Sequence, residues 1–279
     1  MKEYSHLITL ALSEDIGEGD HTSLSCIPSD AIGKAHLLVK QGGILAGVEV
    51  ALEVFRLVDS DLKIELLLND GDAIKYGDVA FTVKGKAQSI LMGERLALNY
   101  MQRMSGIATH TAYLINIIGE STTKLLDTRK TTPNNRFFEK MAVKIGGGEN
   151  HRFGLYDMVM IKDNHIDYAG GIEQAISKTK KYLKAKNLDI PIEVEARNLA
   201  EVETILAAEK VDRIMLDNFN YTDMKTAVNL IGDYAETEAS GGITEETIGE
   251  YAKCGVDYIS VGALTHQIKS LDLSLKATD

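Results

Sequence analysis

The sequence predicts an α/β protein: a small, mostly β unit followed by a parallel sheet built from repeated β-α pairs. Two changes of rhythm carry this. Residues 34–88 show short apolar runs (AHLLV, LKIELLL, AFTV) broken at Gly42-Gly43, Asn69-Asp70-Gly71 and Gly85, the pattern of strands joined by tight turns. From about residue 110, strand-like runs alternate with helical ones, and that alternation implies a parallel sheet with crossover helices. The 279 residues, 44% hydrophobic and 25% charged, are enough for one large or two modest globular domains.

The elements follow in order. The opening MKEYSHLITLALSEDIG has the pattern of a short helix, and its acidic residues set it apart from a signal peptide. Residues 89–105 predict one long apolar helix that Gly106 stops. Strands are expected at 123–127, 158–162, 190–195, 213–217, 234–239 and 258–262, with helices at 171–186, 198–210, 221–232 and 244–254. Asn198 with Glu201 is a capping-box pattern, and Gly255 suits the left-handed position after a helix. Six strands, where a full barrel needs eight, leave an irregular barrel and a doubly wound sheet both open.

The net charge of −11 argues against general binding to nucleic acid or membrane surfaces. No apolar run reaches the roughly 18–20 residues of a membrane span. Cys26 and Cys254 are the only cysteines and lie far apart, which disfavours a disulfide framework or a cysteine metal site and favours a reducing cytoplasm.

Both parallel architectures place ligands at the carboxyl ends of their strands. The residues there are Asp127, Arg129 and Lys130; Lys162, Asp163, Asn164 and His165; Glu193 and Glu195; Asp217 and Asn218; Glu238, Ser240, Gly241 and Gly242; and Gly262 with Ala263. One polar strand end means little, because loops are polar; six converging on one rim mean more. Residues 127–165 hold seven Lys or Arg against five Asp or Glu, a local positive excess in an acidic chain. Arg129, Lys130, His151, Arg152 and Lys162 suit a carboxylate or phosphate ligand. Arg136, Lys140 and Lys144, on the helical stretch FFEKMAVK, have the simpler expectation of a solvated face. Glu195 and Asp217 suit Mg²⁺ or ribose hydroxyls, with ion-bridge partnership as the plain alternative. Ser240-Gly241-Gly242 and Gly262-Ala263 could offer backbone amides to a phosphate, although glycines also make ordinary turns. Gly146-Gly147-Gly148 is either a flexible segment presenting His151 and Arg152 or a helix stop. His151 and His165 lack metal-ligand spacing, and no activated serine or cysteine is in evidence. This set suits transfer of a group from a phosphorylated, Mg²⁺-bound donor to an anionic acceptor.

The stretches LLDTRKTTP, GGGENHRFGLYDMVMIKDNH, IEVEA, MLDNF, EASGGI and GVDYISVGALTH resemble the motif series of the quinolinate phosphoribosyltransferases, and LSEDIGEGDHTS and LALNYMQRMSGIAT fit the same family. The resemblance covers about residues 12–273. It implies an N-terminal α/β sandwich domain at 1–109 and an irregular, incomplete parallel α/β barrel at 110–279, whose tail packs back on the first domain. It implies phosphoribosyl transfer from phosphoribosyl pyrophosphate to quinolinate with loss of CO₂, aided by Mg²⁺, in a cytoplasmic homodimer or higher assembly with shared sites. Arg129, His151 and Arg152 would then grip the acceptor's carboxylates, and Arg103 would do so in the neighbouring subunit's site. Lys130 and Lys162 would sit by the reacting centre, and Glu195 and Asp217 by the ribose and Mg²⁺. Ser240, Gly241, Gly242, Gly262 and Ala263 would hold the 5′-phosphate, with His266 nearby. Asn134-Asn135 and Gln267 depart from the family's usual Gly-Leu and Ser. The alternatives are a related phosphoribosyltransferase with another acceptor, or a non-catalytic carrier or phosphate-binding protein. For the carrier, residues 70–88 resemble lipoyl-domain turns but lack a lysine suited to acylation.

Overall fold

A computed structural model describes residues 2–278. Strands β1 (Ile32–Val39), β2 (Gly43–Ile44), β3 (Lys63–Leu66), β4 (Ala73–Ile74) and β5 (Val79–Lys86) precede the helix Ala87–Ile118. After it come β6 (Lys124–Leu126), β7 (Val159–Ile161), β8 (Ile192–Ala196), β9 (Arg213–Asp217), β10 (Glu236–Ser240), β11 (Tyr258–Ser260) and β12 (Leu273–Thr278). The expected α/β class is what forms: an N-terminal antiparallel sheet domain and a C-terminal domain with six parallel strands. By compactness the chain divides into a first unit of Met1–Ala112, Thr131–Gly147 and Leu264–Asp279, and a second of Tyr113–Lys130 and Gly148–Ala263.

The first unit holds the antiparallel sheet β12-β1-β5-β3. In β1, Ala35, Leu37 and Val39 alternate as buried positions, the period of a sheet with one covered face. The helix Val48–Val58 buries Val50, Ala51, Val54 and Phe55, and Phe55 meets Phe81 of β5 edge-on at 6.1 Å between ring centres. The long helix does not stop at Gly106. A side chain at Gly106 would press into the Lys269 carbonyl oxygen, so this glycine permits close approach of another segment's backbone. The helix Arg136–Ile145 corrects a second expectation: Lys140 is only 1% exposed, because it shares the buried face with Phe138, Glu139 and Val143. Gly146 caps that helix, and a side chain there would collide with backbone at Ala108; the glycine run begins as a stop.

The second unit holds the parallel sheet β6-β11-β10-β9-β8-β7. All six expected strands are present, and all five residues of β8 are buried, as in a strand covered on both faces. Among the described residues β6 and β7 are not paired with each other, so the sheet has open edges. The helices Ile172–Lys186, Leu199–Ala207 and Tyr221–Ile231 stand between strands. Asn198 caps its helix by accepting from the Glu201 amide at 3.0 Å, but Glu201 turns to the Arg197 amide at 2.8 Å, so the box is half made. Of 244–254 only Ile248–Ala252 is helical; Thr244 and Thr247 instead form a hydroxyl-capped turn, the Thr244 amide donating to Thr247 Oγ1 at 2.9 Å. Among the described residues no helix is long and apolar enough to cross a membrane.

Candidate active site

The parallel sheet sorts its polar side chains by strand position. Residues two apart share a face, so Glu193 and Glu195 project together from β8, Arg213 and Asp217 from β9, and Glu236, Glu238 and Ser240 from β10. The pairing aligns Glu193 with Arg213, Glu238 with Met215 and Ser240 with Asp217. The result is a stack of charged levels running to the carboxyl rim.

At the lowest level Arg213 donates to Glu236 at 2.9 Å and to Glu238 at 3.1 Å, while its guanidinium lies 3.9 Å from the centre of the Tyr258 ring. At the middle level His151 enters between two strands. Its Nε2 is 3.0 Å from Glu193 and 3.2 Å from Glu238, and all three side chains are sealed from solvent. Isolated buried ions cost several kcal/mol each, so this set is tenable because two carboxylates face two cationic groups. Burial opposes the imidazolium, but the hydrogen bonds and charges of Glu193 and Glu238 outweigh it and raise the His151 pKa to about 9. Burial, then the Glu238 charge, raises Glu193 to about 6. Burial also works against Glu238, yet the bonds from His151 and Ser260 hold it below the usual carboxylate range.

His151 also orders its surroundings. Its amide donates to Asp127 Oδ1 at 2.9 Å, and its Nδ1 accepts from the Arg152 amide at 2.7 Å. Asp127, fully buried at the end of β6, thus holds the segment that carries Arg152. The bridge between Leu126 and Glu149 ties the same segment to β6. Phe153 and Gly154 donate their amides to the Asp157 carboxylate at 2.6 and 2.9 Å, closing the turn that follows.

The upper level is the rim. Lys162, at the end of β7, points Nζ at Glu195 Oε2 from 3.5 Å and is 45% exposed, open to a ligand. Burial raises the Glu195 pKa; Asp217 and Asp163 add to this, and Lys162 counteracts it. Burial, and then the charge of Arg129, lower the Arg152 pKa. Arg129 and Lys130 are exposed. Asn218 and Gly241 meet back to back: Asn218 has φ 57°, Gly241 φ 96° and Gly242 φ 59°. A side chain at Gly241 would run into that of Asn218 and come within 2.9 Å of its amide nitrogen. Gly262 and Ala263 follow β11 and are half-buried.

These observations gather Arg129, Lys130, His151, Arg152, Lys162, Glu195, Asp217, Ser240, Gly241, Gly242, Gly262 and Ala263 in the second unit, at or just beneath the strand ends. Arg103 and His266 belong to the first unit. The triad His151, Glu193 and Glu238 keeps its ligand atoms within 4.8 Å of one another despite the lack of ligand spacing in sequence. Glu195 and Asp217 are the better fit to Mg²⁺: hard oxygen donors at the open rim, with Glu195 lifted by burial and by its acidic neighbours, a strain that a cation relieves. Of the charged residues beneath the rim, His151, Glu193 and Glu238 are among those the sequence singles out, whereas Arg213 and Glu236 are not; the even spacing of Arg213 to Asp217 and of Glu236 to Glu238 was the available signal.

Comparison with known proteins concerns nearly the whole chain. Residues 107–276 match the family model for the quinolinate phosphoribosyl transferase C-terminal domain, and residues 20–105 match that for its N-terminal domain. Over 285 residues the chain is 47% identical to quinolinate phosphoribosyltransferase (decarboxylating) 1b of Nicotiana tabacum, covering 97% of this chain and 81% of that protein. It is equally similar, 47% over 285 residues with the same coverage, to the chloroplastic nicotinate-nucleotide pyrophosphorylase (carboxylating) of Arabidopsis thaliana. Among solved structures, the nicotinate-nucleotide pyrophosphorylase of Francisella tularensis superposes with a TM-score of 0.92 at 42% identity, covering 98% of this chain and 95% of that one.

Proposed function

The chain belongs to the quinolinate phosphoribosyltransferase family, and on that premise we propose that the charged rim at the ends of β6 to β11 is its catalytic site. The activity is that of a carboxylating nicotinate-nucleotide diphosphorylase, a pentosyltransferase of NAD biosynthesis, with quinolinate and phosphoribosyl pyrophosphate as substrates. The observation that carries the assignment is the 3.5 Å approach of Lys162 to Glu195 at the ends of β7 and β8, with Asp217 at the end of the adjoining β9.

Arg129 and Arg152 bind the two carboxylates of quinolinate, each offering a planar donor fork. His151 serves them from below through the Arg152 amide. Lys130 and Lys162 stabilise charge on the departing pyrophosphate. Glu195 and Asp217 face the ribose hydroxyls and would hold Mg²⁺, which when bound neutralises pyrophosphate charge. Ser240, Gly241, Gly242, Gly262 and Ala263 cradle the 5′-phosphate. The C1′–pyrophosphate bond breaks, leaving an oxocarbenium-like carbon, and the pyridine nitrogen held in line donates its lone pair to it. The new pyridinium takes up the electron pair of the carboxylate's carbon–carbon bond as CO₂ leaves, and a proton fills the vacated ring position. No side chain needs to act as a base in the attack, which agrees with the absence of a nucleophile–base pair at the rim.

Arg103 completes the acceptor pocket of a neighbouring subunit in a homodimer or larger assembly, and His266, in the ALTH segment, is a further candidate for substrate binding. The open edge at β7 and the exposed Leu155 and Tyr156, 71% and 70% accessible, support an assembled state. The free Cys26 and Cys254 support a cytoplasmic location. The domain limit near 109/110 falls within the long helix that lies between the strands of the two sheets, and β12 of the tail returns to the first sheet. Kinetics with each substrate varied test the assignment: Arg152→Ala should raise the quinolinate KM selectively and Ser240→Ala the phosphoribosyl pyrophosphate KM. The reverse pattern would refute it, and sedimentation showing only monomer would refute the shared site.

A further inference from the structure

The helix Arg136–Ile145 carries Glu139 on its buried face, where the carboxylate is completely shielded from solvent. Its Oε1 accepts from Arg103 Nε at 2.7 Å and lies 2.6 Å from Arg103 Nη2, and its Oε2 accepts from the Thr132 amide at 3.0 Å. Arg103 Nη2 donates further to the Thr265 carbonyl at 2.8 Å and to Thr132 Oγ1 at 3.1 Å. One edge of the guanidinium is therefore saturated. Nη1 makes no such bond among the described residues, and the side chain is 29% exposed.

A free arginine side chain loses rotamer entropy when a ligand orders it. Here the ordering is already done, and Nη1 is left to donate to a carboxylate. Stability alone does not call for this arrangement, since apolar residues in place of a buried ion pair are commonly as stable. What the pair adds is direction. Glu139 also fixes Thr132, so the arginine and the segment after Lys130 share one anchor.

We propose that Glu139 is a positioning residue for the acceptor: it holds Arg103 so that the Nη1 edge is presented to a carboxylate of quinolinate. This rests on the reading of Arg103 as an acceptor-binding residue and adds a group that the sequence motifs do not single out.

The test is steady-state kinetics with both substrates varied, on Glu139→Gln, Arg103→Ala and the double variant, each checked by circular dichroism and sedimentation. Glu139→Gln should raise the quinolinate KM about tenfold or more, as a misplaced binding group does, and leave the phosphoribosyl pyrophosphate KM within about twofold. The double variant should be no worse than Arg103→Ala, because the carboxylate acts only through the arginine. A folded Glu139→Gln protein with unchanged quinolinate KM, or with both KM values raised alike, overturns the proposal. So does a fully additive double variant. If Arg103→Ala itself leaves the quinolinate KM unchanged, the reading of Arg103 fails; if it raises that KM and Glu139→Gln does not, only the positioning role fails. Should Glu139→Gln not fold, Glu139→Asp, which keeps the charge one methylene short, should show the same selective rise, and wild-type KM values in it overturn the proposal.

Discussion

Nε2 of His151 lies 3.0 Å from Oε2 of Glu193, with neither side chain open to water. Removing one partner leaves the other charge uncompensated, a loss of about 3–5 kcal/mol for a buried pair. Glu193→Gln and His151→Ala should each destabilise the protein on that scale in urea denaturation. A change under about 1 kcal/mol for both would show that the two groups are not held as an ion pair.

The same pair sets a pH dependence. The unfolded imidazole titrates near 6.5, and the folded one is raised to about 9. The stabilisation it confers is thus fully present below about pH 6.5 and is lost as pH rises toward 9, in total on the order of 3 kcal/mol. His151→Gln should flatten the decline in denaturant midpoint between those limits. An equally steep decline in that variant would place its origin elsewhere.

Lys162 stands at the open end of β7 with Nζ 3.5 Å from Glu195. Lys162→Ala should lower turnover by about 10²-fold or more, the usual cost of one preorganised donor, with little effect on melting because the ammonium is half exposed. Near-normal turnover in folded protein would remove it from the reaction.

Gly241 sits at φ 96° against Asn218. Gly241→Ala forces a side chain into both a left-handed backbone and an occupied space, a strain of roughly 1–3 kcal/mol. The phosphoribosyl pyrophosphate KM should rise about tenfold or more while the quinolinate KM changes little. Unchanged donor affinity would mean that this turn does not contact the phosphate.

The strands were legible because VMI, RIML and YIS of β7, β9 and β11 are short, mostly apolar runs between helical stretches, while β8 (IEVEA) and β10 (ETEAS) carry charged residues at every second position, the period of a strand. The charged stack beneath the rim was harder to see. Arg213 opens an apolar run and looks like an ordinary strand start; only the alignment of β9 with β8 and β10 brings it to Glu193 and Glu238. Lys140 and Gly106 misled for a related reason. Each has a clear local meaning, a polar helix face and a helix stop, and each is governed instead by what packs on it from far along the chain. Asn134 shows local chemistry working: its φ of 63° lies in the left-handed region, and asparagine is among the few side chains that tolerate it.

The antiparallel sheet order β12-β1-β5-β3 has a consequence for biogenesis. Strand β1 leaves the ribosome early, but its neighbour β12 is translated only after every strand of the parallel sheet. Until then the nascent first unit exposes an unpaired β1 edge, a template for wrong partners. A holdase chaperone would find its substrate in that interval, and a ribosome stalled before residue 273 would release a chain prone to aggregate.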